Sequence, residues 1–345
     1  MHVLRCPRCG EFTPLETLSC GSCRQEVGFH LPTMSMVAAD NEGTVIEGAR
    51  WVPCVNRGWE CNWMVAADDE RPSCFSCRLT RRRPPADDTL ALERLAETAV
   101  AKRRLLVQLR RLGLPIDPWD EVDGGLGFDL LSSLSDGERI TTGHANGIIT
   151  IDLAESLDAQ REALRVRLAE PYRTMLGHFR HEVGHYYEWV LVEQGPLIDE
   201  CRPVFGDERT SYSDAIARHY KLGAPPDWGQ SFISEYATMH PWEDFAECFA
   251  HYLHITDTLQ SAGYSGMVLH ADRVEGLLER DVEPRRSYAD ATIEELLEDW
   301  KSLVLVLNRA NHAMGKGDLY PFTIVEPVAR KLGFVHRVVN ASRPV

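Results

Sequence analysis

His181, Glu182 and His185 lie in HFRHEVGHYYEW, residues 178–189, and spell H-E-x-x-H. Two imidazoles four residues apart on one helix project from the same face. At that spacing two neutral ring nitrogens can grip one Zn2+. Glu182 points slightly off this face, where it can take a proton from a metal-activated water and hand it to a leaving amine. Chance alone produces the pattern on the order of once per hundred chains of this size, so a third ligand is needed. The stretch SEYATMHPWEDFAECFAHYLH, residues 234–254, offers Glu243 and Glu247, again i and i+4, on a helix that Pro241 can start. We expect Glu243 to be the third ligand and Glu247 to orient a ligand histidine from behind. Spacing alone leaves the reverse assignment open, and Asp244 is a weaker candidate for the orienting task. Three protein ligands leave a fourth position for water, the open type of site that catalysis uses.

The cysteines suggest different metal chemistry. The chain has ten, eight of them within the first 77 residues. Cys6, Cys9, Cys20 and Cys23 form two C-x-x-C knuckles, the spacing of a zinc ribbon. Cys54, Cys61, Cys74 and Cys77 form a second four, more widely spaced but closed by the knuckle CFSC. Each four is already compact, so sequential pairing into two structural zinc sites is expected over interleaved pairing. Gly10 and Gly21 are expected to allow the tight turns at the first site. Cys201 and Cys248 read as ordinary thiols.

These residues need elements to position them. A helix is expected from Pro171 to a stop at Gly195. RLTRRRPPADD, residues 78–88, reads as a solvated basic hinge and a domain boundary. Beyond it Asp87 or Asp88 caps a helix with Leu90, Leu92, Leu95, Val100, Leu105, Leu106 and Leu109 at helical spacing, ended by Gly113. Residues 125–152 read as strands and turns, with GIITIDL the clearest strand. The chain beyond about residue 155 is mostly helical, as in the amphipathic stretch near residues 292–310. The expected fold class is α+β: a zinc-ribbon domain over residues 1–83 with two four-cysteine sites, then a mostly helical zincin-like domain with a small sheet over residues 84–345.

Composition narrows the setting. The 345 residues carry a formal charge of −15 with 44% apolar and 26% charged residues, ordinary for a water-exposed globular protein. No apolar run approaches the roughly 20 residues that span a bilayer, and MHVLRCPRCG lacks a signal-peptide core. A cytoplasmic location is expected, where clustered cysteines serve as metal ligands rather than disulfides. The charge disfavours nucleic acid. Residues 1–85 are balanced, with ten Arg and ten Asp or Glu, so the acidic excess lies downstream.

The chain resembles the bacterial zinc-binding metallopeptidases that carry an N-terminal zinc ribbon. The matching stretches are LRCPRCG, ADDERPSCFSCRL, TGHANGIITIDLAE, EPYRTMLGHFRHEVGHYYEW, FGDER and HPWEDFAECFAHYLH, spanning residue 4 to about 259. The resemblance implies a zincin-like fold, His181, His185 and Glu243 as zinc ligands and Glu182 as the base. Tyr236, seven residues before Glu243, is also similar in placement to the tyrosine of lethal-factor-type zinc peptidases, which implies a hydroxyl donated to the oxyanion; a core tyrosine is the plain alternative. By analogy with zincin-like folds, GIITIDL is the candidate edge strand for aligning a peptide substrate. His178 either lines the cleft or packs. His251 and His254 are expected to satisfy hydrogen bonds between helices, and Tyr186, Tyr187 and Trp189 to form core.

The leading expectation is a zinc metallopeptidase cleaving a protein or peptide, with one catalytic and two structural Zn2+. The ribbons would then recognise substrate or a protein partner. The alternative is a non-catalytic zinc-ribbon adaptor on a latent peptidase fold. A zinc-ribbon nucleic-acid binder ranks third, because no extended basic or aromatic stripe accompanies the acidic charge.

Overall fold

The computed structural model describes residues 3–133, 140–156, 174–273, 276 and 278–343. The fold is α+β. Contacts divide the chain into two units, one of residues 2–111 with 116–161, the other of residues 112–115 with 162–345.

In the first unit short strands alternate with metal-binding knuckles. β1 (Val27–His30) and β2 (Ser35–Ala38) form an antiparallel hairpin. β3 (Thr44–Ile46), β4 (Ala49–Pro53) and β5 (Met64–Ala66) form an antiparallel sheet. A one-turn helix, α1 (Phe75–Arg78), carries the CFSC knuckle. A four-stranded mixed sheet follows, ordered β6 (Thr80–Arg82), β7 (Gly127–Leu131), β9 (Ile148–Asp152), β8 (Gly143–Ala145). β8 and β9 are joined by Asn146-Gly147, both at positive φ, the two-residue hairpin turn that Asn-Gly favours. GIITIDL is therefore strand β9, but it is interior: β7 pairs with it on one side and β8 on the other. It is not the expected edge strand. Among the described residues β8 holds that edge, because the tight turn folds it back over β9. The long helix α2 (Thr89–Leu112) also belongs to this unit, bar its last residue. Asp88 Oδ1 accepts from Ala91 N at 2.9 Å, and Gly113 at φ +75° follows the last turn, as the capping signals require.

The second unit is helical. α3 (Met175–Tyr187) carries H-E-x-x-H and runs into a π-helical turn over Glu188–Glu193. It starts behind Thr174, whose Oγ1 accepts from Gly177 N at 3.0 Å, so this cap rather than Pro171 sets its beginning; Pro171 itself lies outside the described residues. α4 (Ile198–Phe205) and α5 (Tyr212–Leu222) follow. α6 (Pro241–Tyr264) is the central helix, with Pro241 at its first position as expected. α7 (Ile293–Ala313) begins in a capping box of Thr292 and Glu295, and α8 (Glu326–Ala341) closes the unit. Its core joins Phe179, Val183 and Tyr187 of α3 to Phe245, Phe249 and Leu253 of α6 and Leu332 and Phe334 of α8, all at most 1% exposed. Tyr187 stacks on Phe249 at 5.4 Å between centroids. Among the described residues no helix is long and apolar enough to cross a membrane.

Candidate active site

The sequential pairing of the cysteines is what the structure shows. Cys6, Cys9, Cys20 and Cys23 converge, as do Cys54, Cys61, Cys74 and Cys77. In the first group Cys6 Sγ lies 3.6 Å from Cys23 Sγ, and Cys9 Sγ 3.7 Å from Cys20 Sγ. In the second, Cys61 Sγ lies 3.5 Å from Cys74 Sγ and 3.6 Å from Cys77 Sγ. Thiolates placed tetrahedrally at about 2.3 Å from Zn2+ stand roughly 3.8 Å apart, so both cages fit that ion. The two knuckles of the first cage have the same backbone. Gly10 N donates to Cys6 O at 3.0 Å and Arg24 N to Cys20 O at 2.9 Å, with Gly10 and Arg24 both in the left-handed region. At the second knuckle the special turn thus falls on Arg24, not on Gly21, because it follows the second cysteine of the pair.

Two residues of α2 hold the second cage. Lys102 Nζ donates to Ser76 O inside CFSC at 2.7 Å and also to Thr80 Oγ1. Arg103 Nη2 donates to Glu60 O, next to Cys61, at 3.2 Å. Burial pulls the Lys102 pKa down to about 8, against the thiols of Cys77 and Cys74, which favour its charge.

In the helical unit α3 and α6 bring His181, His185 and Glu243 together. The imidazole centroids of His181 and His185 are 4.9 Å apart. Glu243 Oε2 lies 3.0 Å from His181 Nε2 and 3.3 Å from His185 Nε2. Donors about 2.0–2.1 Å from a tetrahedral Zn2+ stand roughly 3.3 Å apart, so this trio fits the ion as well. Glu243 is the third residue of α6, where the helix dipole favours a carboxylate. Burial opposes its charge, but His185 and His181 outweigh burial and hold its carboxyl well below the usual range.

The close approach of the two helices comes from a glycine inside the motif. A Cβ on Gly184 would lie 2.8 Å from Ala246 Cα and 3.0 Å from Ala246 O. Only a residue without a side chain lets α3 lie this close to the α6 backbone between Glu243 and Glu247.

A ring of polar contacts surrounds the trio. Glu247 Oε1 lies 2.8 Å from His181 Nδ1, and Glu247 Oε2 accepts the Ser234 hydroxyl at 2.6 Å. Glu247 thus places the ring proton of His181 on Nδ1 and leaves Nε2 to face Glu243 and His185. Burial disfavours a charge on His181, yet Glu243 and Glu247 overcome it and raise its pKa well above normal. Tyr212 donates its hydroxyl to Glu243 Oε1 at 2.7 Å. The Tyr236 ring lies 5.8 Å from that of His181.

Glu182 is buried one residue from His181. Its Oε1 lies 3.4 Å from His178 Nε2, and its Oε2 is buried with no hydrogen-bond partner among the described residues. Burial resists its ionisation, but the hydrogen bond from His178 and the charge of His181 lower its pKa below normal. His178 therefore touches the carboxylate of the motif rather than only packing.

The remaining histidines and aromatics take structural places. Tyr320 bonds His251 Nδ1 at 2.8 Å, and Arg180 bonds His254 Nδ1 at 2.7 Å. Tyr186 and Tyr187 are buried core as expected, whereas Trp189 is only half-buried. Lys331 and His336, in the C-terminal helix α8, are internal anchors. Lys331 Nζ lies 2.6 Å from Asp244 Oδ2, so Asp244 is engaged there rather than at a histidine. His336 bonds Tyr252 and the Ala291 carbonyl, each at 2.9 Å. Tyr212 and Ser234 escaped the sequence reading. Tyr212 precedes Glu243 by 31 residues and Ser234 precedes Glu247 by 13, and neither spacing is a helical period.

Residues 3–88 match a zinc-ribbon domain. Residues 91–338 match the family described as "Putative zinc-binding metallo-peptidase". An uncharacterised protein of Mycobacterium tuberculosis strain H37Rv and one of Mycobacterium bovis are each 41% identical over 348 residues, covering 100% of this chain and 97% of theirs. No solved structure matches. A match over most of the chain, from α2 into α8, establishes that it belongs to this zinc-binding metallo-peptidase family.

Proposed function

We propose that the chain is a zinc metallopeptidase of the H-E-x-x-H type that hydrolyses peptide bonds in a protein or peptide. The observation that carries this reading is the convergence of His181, His185 and Glu243 beside a buried carboxylate oxygen, Glu182 Oε2, that no group among the described residues satisfies. The three residues would hold one Zn2+, which would supply Lewis acidity toward a water and a scissile carbonyl. Glu182 Oε2 takes the water's proton and delivers it to the departing amine nitrogen. His178 keeps Oε1 of the same carboxylate occupied, so the proton is handled by Oε2. Tyr236 offers its hydroxyl to the developing oxyanion. Glu247, itself held by Ser234, keeps the His181 ring oriented. The two four-cysteine cages would hold structural Zn2+ and shape a unit that recognises substrate or a protein partner.

The test has two parts. Zinc content of the wild type should be three per chain and fall to two in His181→Ala/His185→Ala; an unchanged count would end the catalytic-metal reading. Glu182→Gln should keep three zincs and lose cleavage of a peptide library read by mass spectrometry. If Glu182→Gln cleaves like the wild type, Glu182 is not the base.

A further inference from the structure

Glu243 has two carboxylate oxygens, and the structure gives them different neighbours. Oε2 lies 3.0 and 3.3 Å from the Nε2 atoms of His181 and His185, while Oε1 accepts the Tyr212 hydroxyl at 2.7 Å. Building on the reading of His181, His185 and Glu243 as metal ligands, we propose that Tyr212 is the positioning residue of this centre. Its hydroxyl occupies Glu243 Oε1, so the carboxylate grips a metal through Oε2 alone and the fourth position stays open for water.

Tyr212 is built to hold this post. It opens α5 behind Ser211, whose Oγ accepts from Asp214 N at 3.3 Å. Its ring lies against His240 and Trp242, at 5.3 and 5.9 Å between centroids, and these are the cap and second residue of the helix that bears Glu243. His240 Nδ1 accepts from Trp242 N at 3.2 Å, which puts the ring proton on Nε2, 3.0 Å from Thr210 O. The segment just before Tyr212 is thereby tied to the start of α6. FGDER, residues 205–209, stiffens the approach: Arg209 bonds Asp207 at 2.7 and 2.8 Å, and Arg202 bonds Glu208 at 2.6 Å. The hydroxyl therefore meets Glu243 from a fixed direction, at the carboxylate oxygen that is not the one held against the imidazoles. A carboxylate oxygen that loses such a donor is free to turn toward a cation, because a carboxylate has several acceptor positions. Binding through both oxygens would then fill the position that water needs.

The experiment compares wild type, Tyr212→Phe and Tyr220→Phe, the last removing an exposed hydroxyl from the same helix. Zinc affinity is read by chelator competition. The absorption spectrum of Co2+ exchanged into the third site, with zinc left in the four-cysteine cages, is read beside it. Tyr212→Phe keeps the ring contacts, so it should lose affinity at the third site alone, by about ten- to hundred-fold, as loss of an outer partner does. Its Co2+ bands should weaken as the coordination number rises, and Tyr220→Phe should match the wild type. The spectrum reports only folded, metal-bound chains, so partial unfolding does not mask it. Wild-type affinity and an unchanged spectrum in Tyr212→Phe would overturn the proposal for Tyr212 alone. If the wild type holds no third metal that His181→Ala/His185→Ala loses, the underlying reading of the site fails and the Tyr212 role falls with it.

Discussion

Gly184→Ala puts a single methyl group between the two helices that bear the candidate ligands. The added Cβ would lie 2.8 Å from Ala246 Cα, 3.0 Å from Ala246 O and 3.3 Å from Ala246 C. Comfortable carbon contacts are about 3.5–4.0 Å, so α3 and α6 must separate by roughly 1 Å. The atoms in the way are backbone, so no rotamer change relieves them. Metal sites tolerate ligand distances within about ±0.2 Å. A shift several times larger should therefore empty the third zinc site. Overpacking of this kind costs about 1–3 kcal/mol, at roughly 2–4 °C of melting temperature per kcal/mol in units of this size. The opposite sign is expected if the helices are not in tight contact, because alanine for glycine in a helix interior contributes about 1 kcal/mol of stability. Thermal unfolding with zinc content decides it: the predicted variant melts lower and holds two zincs. A variant with three zincs and an equal or higher melting temperature would refute the close-packing argument.

Three other perturbations follow from buried groups. Lys331→Met leaves Asp244 inside the protein without the ammonium 2.6 Å away; denaturant unfolding should show a loss of about 3–5 kcal/mol, and a loss below about 1 kcal/mol would mean that the pair is not buried as described. Burial pushes the His251 pKa down to about 4, against about 6.5 in an unfolded chain. The unfolded chain therefore binds the proton first, and stability present at neutral pH is lost as pH falls from about 6.5 to about 4, by roughly 3 kcal/mol. His251→Gln should flatten that part of the pH–stability curve, and parallel curves for variant and wild type would count against it. Lys102→Met removes the cation that ties α2 to the CFSC knuckle; a thiol reagent should then release zinc from the second cage sooner while the first cage is unaffected, and identical release from both would rule out that support.

Much of the site was legible because its parts are local. The i, i+4 spacing of His181 and His185 sets a shared face whatever surrounds the helix. The C-x-x-C knuckles likewise close on themselves, which is why the two fours could be paired from spacing alone. Pro241 and Asp88 marked helix starts through the local chemistry of capping. The strand GIITIDL was recognised but put at an edge, since a strand's own residues do not say how many neighbours it has.

What the sequence by itself determined, then, is the set of short-range geometries: the cages, the imidazole pair, and two carboxylates one turn apart on a second helix. Which of those carboxylates faces the imidazoles was open until α3 and α6 were docked. Gly184 decides how near they come, and the rotation of α6 turns Glu243 to the Nε2 atoms and Glu247 to Nδ1 of His181. Tyr212 on Glu243, Lys331 on Asp244 and Lys102 beneath the second cage join residues 31, 87 and 26 positions apart. No periodicity reports such pairs, because they are made by packing between elements and not within one.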